Sequence, residues 1–166
     1  SVVEVGGRDE AGFAMAELTA FRNDVRAWLE RTCPAELRGA RGGFEGGQQE
    51  PISPLLRRWF DACYERGWTV PGWPRAYGGG GLAPAEHRAL REEMAALHVP
   101  APLTGMGVSM IGPTILEFGT DEQKAQHLRR IASGAVRWCQ GYSEPGAGSD
   151  LASLKTRAED RGDDYL

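Results

Sequence analysis

The fold is decided by residues 118–150, "FGTDEQKAQHLRRIASGAVRWCQGYSEPGAGSD". The first half predicts a helix that is capped by Thr120 or Asp121 and stopped by Gly134. Two arginines in its last turn complement the negative end of the helix dipole. Beyond Gly134, residues 135–143 are rich in aromatic and β-branched side chains and alternate in polarity, which predicts a strand. The character of the chain therefore changes at Gly134.

Four more helices are predicted upstream from apolar residues at helical spacing. They run from Phe13 to just before Pro34 and over residues 53–67, 83–99 and 104–119. The last of these is apolar nearly all round, so we expect it to be buried and kinked at Pro113.

Two glycine-rich stretches separate these helices and predict loops. Residues 38–51 contain almost no apolar side chains and are expected at the surface. Residues 68–82 contain Trp68, Trp73 and Tyr77, which we expect to pack onto the helical core. The four consecutive glycines of this second loop are expected to form an exposed turn.

Two short strands are predicted after residue 153, around a turn at "DRGDD" (160–164). The fold class is therefore mainly α, with an all-α domain at residues 1–134 and an incomplete β-domain at residues 135–166. The last residues, "DDYL", resemble the start of a strand without a partner. We therefore expect the sequence to be part of a longer polypeptide.

Composition excludes several classes of function. The 166 residues are 41% hydrophobic and 25% charged, which is typical of a soluble globular protein. A net charge of −4 argues against nucleic acid as a partner. No apolar run approaches the roughly 20 residues that span a membrane, and no signal peptide is recognisable at the first residues.

The cysteines and histidines do not predict a metal site. Three cysteines, Cys33, Cys63 and Cys139, have spacings that fit neither a disulfide framework nor zinc. A reduced, cytoplasmic protein is the simplest interpretation. Cys139 is expected to be a buried, inert thiol, and the three histidines, on charged helices, are expected to be solvated.

The segment "SEPGAGSD" (143–150) can bind an anion. Pro145 and the small residues after it leave the backbone N–H groups of residues 146–149 uncovered, and successive free amides form a concavity for an anion. Ser143 and Ser149 add hydroxyl donors. The residues alone leave a second interpretation open, a solvated turn between strands in which Asp150 is a local hydrogen-bond acceptor. The segment matches neither a Walker loop nor a dinucleotide-binding loop.

Three quoted segments resemble the acyl-CoA dehydrogenase family. "YSEPGAGSD" (142–150) is similar to the first signature of that family, and residues 67–95, "GWTVPGWPRAYGGGGLAPAEHRALREEMA", are similar to the stretch between its second and third helices. Residues 118–150 resemble the run that ends its helical domain and opens its β-domain. The similarity extends over about residues 13–166, and several segments in the right order are more specific than one motif.

The resemblance implies a helical bundle followed by the first strands of a β-barrel-like domain. It implies non-covalent FAD and oxidation of an acyl-CoA thioester to the 2,3-enoyl thioester, with hydride transfer to the flavin. An electron-transferring flavoprotein is the implied electron acceptor, and a homo-oligomer the implied assembly. The catalytic glutamate of the family comes from a later helical bundle, so no residue up to Leu166 is assigned as the base.

The resemblance also implies which residues contact the cofactor. These are Gln140, Tyr142 and Ser143 at the isoalloxazine, and Gly148 and Ser149 at the pyrophosphate. Ser149 also lies where the thioester's pantetheine enters. Many members have a hydrophobic residue and then threonine where this chain has Tyr142 and Ser143, and serine keeps the hydroxyl. Glu144 is implied to be a structural carboxylate rather than the base.

Several alternatives remain open from the sequence. The scaffold also serves acyl-CoA oxidases and flavin monooxygenases, and the chain could instead be a non-catalytic helical subunit. Leu103, Met106 and Met110 either contact an acyl chain, since flexible methionines suit a variable apolar ligand, or belong to the core. Arg129 and Arg130 either bind a nucleotide phosphate or only complement the helix dipole.

Overall fold

Five α-helices form the architecture of the described part of the chain. The computed structural model describes residues 6–40, 43–47 and 52–166, with side chains from residue 14 onward. The helices are α1 (Gly6–Thr32), α2 (Pro54–Glu65), α3 (Pro84–Ala96), α4 (Gly112–Phe118) and α5 (Asp121–Ala132). Short 3₁₀ turns lie at Ala35–Leu37, Arg75–Tyr77 and Leu151–Ser153. All five predicted helices are present, although α1 begins before Phe13.

Local chemistry fixes the helix ends. The Ser53 hydroxyl accepts from the Leu56 N–H at 3.2 Å, and Pro54 occupies the first turn of α2, as predicted. At α5 the cap is Thr120: its hydroxyl accepts from the Gln123 N–H, and the Gln123 side chain accepts from the Thr120 N–H. This reciprocal capping box decides between the two predicted caps.

The first core, which lies between α1, α2 and α3, consists of the buried residues Val25, Leu29, Cys33, Trp59, Cys63, Trp68, Leu90 and Val99. Trp59 is fully buried, and its indole N–H donates to the Pro100 carbonyl at 3.1 Å. At the rim, Arg22 and Arg26 of α1 pair with Glu93 of α3 at 3.1 and 3.0 Å. Apolar burial therefore holds the three helices together. The Arg22 and Arg26 side chains are 35% and 50% exposed, which limits what their pairs with Glu93 add.

The second core consists of Val70, Trp73, Ile115, Leu128, Ile131 and Ala132. It joins α4 and α5 to the loop after α2. The Thr69 hydroxyl, buried beneath this core, donates to the Ala132 carbonyl at 2.9 Å. Trp68 and Trp73 are buried and Tyr77 is half-buried, so the prediction that these aromatics pack on the core is confirmed.

The four-glycine run is not the exposed turn predicted from the sequence. Gly79 and Gly80 are buried. A Cβ on Gly79 would lie 2.2 Å from the Trp73 carbonyl oxygen. Glycine is needed here because the loop folds back onto its own backbone at Trp73, a close approach that the sequence pattern does not reveal.

The fourth predicted helix differs in two ways from expectation. Residues Gly107–Ile111 form a π-helical turn, in which the Gly112 N–H donates to the Gly107 carbonyl, and α4 proper follows with Pro113 in its first turn. The helix is also not buried all round, because Phe118 is 82% exposed. Within the described ranges only one of its faces meets the second core.

The loop at residues 43–47 is less superficial than predicted. Phe44 is half-buried, and its ring stacks edge-on against Phe60 of α2 with centroids 5.1 Å apart. The Phe44 carbonyl accepts from the Thr104 N–H at 2.8 Å. The remainder of the predicted 38–51 loop at residues 41–42 and 48–51 lies outside the described residues.

None of the described residues forms a strand; the β-structure consists of isolated bridges. Residues 135–143, called the connector here, form no strand, because no other described segment offers them a ladder of hydrogen bonds. The predicted turn at residues 160–164 is confirmed by the Arg161 N–H to Asp164 carbonyl bond of 3.0 Å. The predicted flanking strands reduce to one bridge between Asp160 and Tyr165.

Candidate functional site

The segment that follows the connector folds into a closed turn. The Glu144 N–H donates to the Ala147 carbonyl at 3.1 Å, and the Ala147 N–H donates back to the Glu144 carbonyl at 3.0 Å. Ala147 is only 2% exposed. Of the four amides predicted to be free, that of Ala147 is therefore used within the protein, which corrects the predicted concavity.

The remaining amides of the turn are available to a ligand. Among the described residues, no protein acceptor lies within hydrogen-bond reach of the Gly148 or Ser149 N–H. A Cβ placed on Gly146 or Gly148 would meet no atom within 4 Å. The turn thus presents two adjacent donors beside open space, which fits a diphosphate that approaches the backbone closely.

Glu144 supports the turn from behind. Its carboxylate accepts from the Lys155 N–H at 3.0 Å, from the Thr156 N–H at 2.7 Å and from the Thr156 hydroxyl. These bonds tie the turn to a segment about eleven residues later in the chain. The expectation that Glu144 is a structural carboxylate is confirmed by these three bonds.

The same bonds lower the pKa of Glu144 below its usual value of 4.5, through the Thr156 hydroxyl first and the two backbone N–H groups next. A lowered pKa means that the anchor is intact above pH 4.5 and is lost as the pH falls through the lower, folded value. We expect the amide resonances of Lys155 and Thr156 to titrate together with a midpoint below 4.5. Two-dimensional NMR measures this midpoint. A midpoint above 4.5, or titration retained in Glu144→Gln, would contradict the assignment.

The predicted flavin contacts are all exposed. Gln140, Tyr142 and Ser143 lie along the connector, and Gly148 and Ser149 lie on the turn. Tyr142 is 63% exposed. The Asp150 side chain is not the local acceptor of the alternative interpretation: the Ser153 hydroxyl donates to its backbone carbonyl at 2.8 Å.

Met106 and Met110 are 37% and 49% exposed, whereas Leu103 is buried at 6%. The three residues therefore do not share one of the two predicted roles, contact with an acyl chain or packing in the core. Leu103 is a core residue, and the two methionines lie on the outer side of the π-helical turn. Flexible thioether side chains there suit an apolar ligand of variable shape.

Two residues near the site were missed by sequence reasoning. Thr156 completes the Glu144 anchor, and Trp138 packs the connector against the π-helical turn. A Cβ on Gly107 would lie 3.1 Å from the Trp138 Cδ1 atom. Local patterns contain no signal for either, since both contacts join residues distant in sequence.

The burial of the cysteine and histidine side chains differs in part from the predictions. Cys139 is exposed, so the predicted buried thiol is wrong there; the half-buried residue at this point of the connector is its neighbour Trp138. Cys63 is buried, and burial raises its pKa. His98 is solvated as predicted, while His87 and His127 are half-buried and His127 packs edge-on against Trp138 at 5.5 Å.

The described ranges contain neither a candidate metal cluster nor a helix that could span a membrane. No group of three or more histidine, cysteine, aspartate or glutamate side chains there is arranged to hold a metal ion. No helix in the same ranges combines the length and apolar character needed to cross a membrane.

Comparison with known proteins links this geometry to one family. A family model described as the acyl-CoA dehydrogenase N-terminal domain matches residues 15–135. The chain is 39% identical over 92% of its length to "Acyl-CoA dehydrogenase IpdE1" of Mycobacterium tuberculosis, of which it covers 40%. It is 36% identical over 88% of its length to "Acyl-CoA dehydrogenase FadE26" of the same organism, of which it covers 36%. The chain thus spans about two fifths of these curated relatives.

Solved structures show the same likeness. The structure described as "Tcur3481-Tcur3483 steroid ACAD G363A variant" superposes with a TM-score of 0.65 at 36% identity, covering 91% of this chain and 38% of that one. The "ChsE4-ChsE5 complex" from Mycobacterium tuberculosis gives a TM-score of 0.61 at 34% identity, covering 90% and 36% of the respective chains.

Proposed function

The chain belongs to the acyl-CoA dehydrogenase family, and we propose that it forms the N-terminal part of a flavin-dependent enzyme that dehydrogenates an acyl-CoA thioester. The observation that carries the proposal is the turn at residues 144–149, closed by its own backbone and anchored through Glu144. It leaves the Gly148 and Ser149 amides facing open space. A non-catalytic helical subunit would have no need of such donors.

The proposed cofactor is FAD. The Gly148 and Ser149 amides and the Ser149 hydroxyl would hold its pyrophosphate, and Ser149 would also adjoin the entering pantetheine. Gln140, Tyr142 and Ser143 would hold the ring system, with the Ser143 hydroxyl and the connector backbone as donors to its carbonyl edge. When bound, FAD supplies the hydride acceptor.

The chain's own contribution is binding and orientation. N–H and O–H donors fixed around a ligand favour the charge that develops there during reaction, because their orientation is established before the reaction begins. Met106 and Met110 are proposed to contact the acyl group. The base that removes the α-proton is expected from a residue beyond Leu166.

The remaining features of the enzyme follow from family membership and are part of the proposal. They are a β-domain that starts at residue 135, an electron-transferring flavoprotein as electron acceptor, a homo-oligomeric assembly and a cytoplasmic location. The family-model match that ends at residue 135 supports the proposed boundary. A complex of two different chains is the alternative assembly, supported by the solved complex described above.

The acyl group is proposed to include bulky, steroid-type substrates. Support comes from the likeness at 36% identity to a structure described as a "steroid ACAD". The exposed methionines agree with this, since their side chains adapt to irregular apolar shapes.

The decisive experiment is anaerobic reduction of the purified intact protein by a panel of acyl-CoA thioesters, straight-chain and steroid-derived. We expect a flavin absorption spectrum that bleaches on addition of substrate, with release of the 2,3-enoyl thioester. Peroxide formation at the rate of turnover in air would select an oxidase instead. A protein that purifies without flavin and binds none on incubation with FAD would contradict the proposal.

A further inference from the structure

We propose that Trp138 is a positioning residue that fixes the π-helical turn bearing Met106 and Met110 relative to the flavin-binding connector. The inference rests on the proposed function, in which these methionines face the acyl group and the connector faces the flavin. It concerns how two parts of one site keep their spacing.

The position of Trp138 in the chain is the first observation. It lies two residues before Gln140, on the connector, where Val136 is the other half-buried residue and also packs against the second core. Its neighbours Arg137 and Cys139 are both exposed, while Trp138 itself is half-buried. Trp138, with Val136 before it, therefore attaches the connector to the helical domain, and the indole is the larger of the two apolar side chains.

The packing of the indole is the second observation. On one side the Trp138 Cδ1 atom lies against the π-helical turn, 3.1 Å from where a Gly107 Cβ would stand. On the other side the ring meets His127 of α5 edge-on, with centroids 5.5 Å apart. The ring also packs against the second core, which contains Leu128 and Ile131. Trp138 is thus wedged between α5 and the turn.

The π-helical turn is the third observation. Such turns are rare, interrupt α-helices as single turns and occur frequently at functional sites. A Cβ on residue 107 would lie 3.1 Å from Trp138 and 3.2 Å from the Ile131 Cγ2 atom, so a side chain there would push the indole away by a few tenths of an ångström. The turn and the indole are therefore fitted to one another.

The indole N–H provides a way to separate shape from hydrogen bonding. The Trp138 Nε1 atom is buried and has no hydrogen-bond partner in the described part of the protein. The wedge therefore acts through the shape of the ring. Phenylalanine keeps an aromatic ring and removes the unpaired donor, whereas alanine removes the wedge.

The test compares Trp138→Ala and Trp138→Phe in the intact flavin-loaded protein, with Trp28→Ala as the matched control. Trp28 is also a half-buried tryptophan, but it packs against the first core. Misplacing reacting groups by about 1 Å can cost about a hundredfold in rate, so we expect Trp138→Ala to slow anaerobic flavin reduction by about tenfold or more. Flavin content per chain should not change. Trp138→Phe should retain a rate within about threefold of the parent.

The control separates positioning from stability. Trp28→Ala should lower the melting temperature at least as much as Trp138→Ala while leaving the reduction rate unchanged. Equal rate losses in the two alanine variants, or an unchanged rate in Trp138→Ala, would overturn the proposal.

A second measurement does not depend on the chemistry. Spin labels are attached at Ser109→Cys and Ala152→Cys in a Cys139→Ser background. They report the distance between the π-helical turn and the short 3₁₀ turn that follows the proposed pyrophosphate-binding residues. We expect Trp138→Ala, but not Trp28→Ala, to broaden or shift this distance distribution. If the parent protein binds no flavin, the proposed function fails while the distances still decide the positioning role. An unchanged distribution overturns the positioning role even in an active enzyme.

Discussion

Gly112→Ala is expected to destabilise the protein by about 3 kcal/mol or more, because the new methyl group would overlap the Trp73 ring. A Cβ on Gly112 would lie 2.1 Å from Cη2 and 2.3 Å from Cζ2 of Trp73. It would also lie 2.7 Å from the Gly107 carbonyl oxygen, which is backbone and has little freedom to move. Trp73 is 9% exposed and packed in the second core, so its ring cannot turn away freely. Alanine's better helix propensity recovers less than about 1 kcal/mol of this loss.

Thermal and denaturant unfolding of the two proteins measure the effect. For a domain of this size we expect a fall in melting temperature of about 10 °C. Gly141→Ala is the matched control, because a Cβ at that position would meet nothing within 4 Å. It should unfold within about 0.5 kcal/mol of the parent.

A double-mutant cycle identifies the cause. Phenylalanine at position 73 lacks the outer ring atoms that the new methyl group would touch. Gly112→Ala should therefore cost markedly less in a Trp73→Phe background than in the parent, with a coupling energy of about 1 kcal/mol or more. Additive losses would show that the clash with Trp73 is not the reason.

Ser149→Asp is expected to weaken FAD binding by about a hundredfold, the largest functional effect that we predict. It would place a carboxylate beside a diphosphate; two unit charges 4 Å apart interact by about 4 kcal/mol at the effective dielectric of a protein surface. Ser149 is exposed, so a loss of about 3 kcal/mol, or about a hundredfold, is the expected result.

Fluorescence titration of the apoprotein with FAD measures the dissociation constant. Ser149→Asn changes the side chain without adding charge and should lose less than about tenfold. Ala152→Asp adds the same charge at an exposed position outside the proposed contacts and should bind FAD nearly normally. Unchanged flavin affinity in Ser149→Asp would remove the turn from the proposed site.

The helical half of the fold was predictable because its signals are local. Caps such as Ser53 and Thr120, and apolar residues at helical spacing, act within one or two turns of the chain and need no distant partner. The same applies to the turn at residues 160–164, where Asp160 accepts from the Gly162 N–H at 2.8 Å. These features agree between prediction and structure.

The predicted strands illustrate the opposite case. Residues 135–143 alternate in polarity as a strand does, yet a strand exists only where a second segment supplies its hydrogen bonds. None of the described residues pairs with them. Whether they join a β-domain remains part of the proposed function.

In the candidate site, too, some features follow from local sequence and others only from tertiary contacts. The sequence by itself determined the family signature, the small residues that keep the turn open and the exposed hydroxyls of Ser143 and Ser149. Tertiary structure alone decided that Ala147 turns inward and that Glu144 is anchored to Thr156. It also decided that Trp138 packs on Gly107 and that Gly112 must have no side chain beside Trp73. The physical reason is that helix caps and turns join near neighbours, whereas these contacts join residues brought together only when the helices pack.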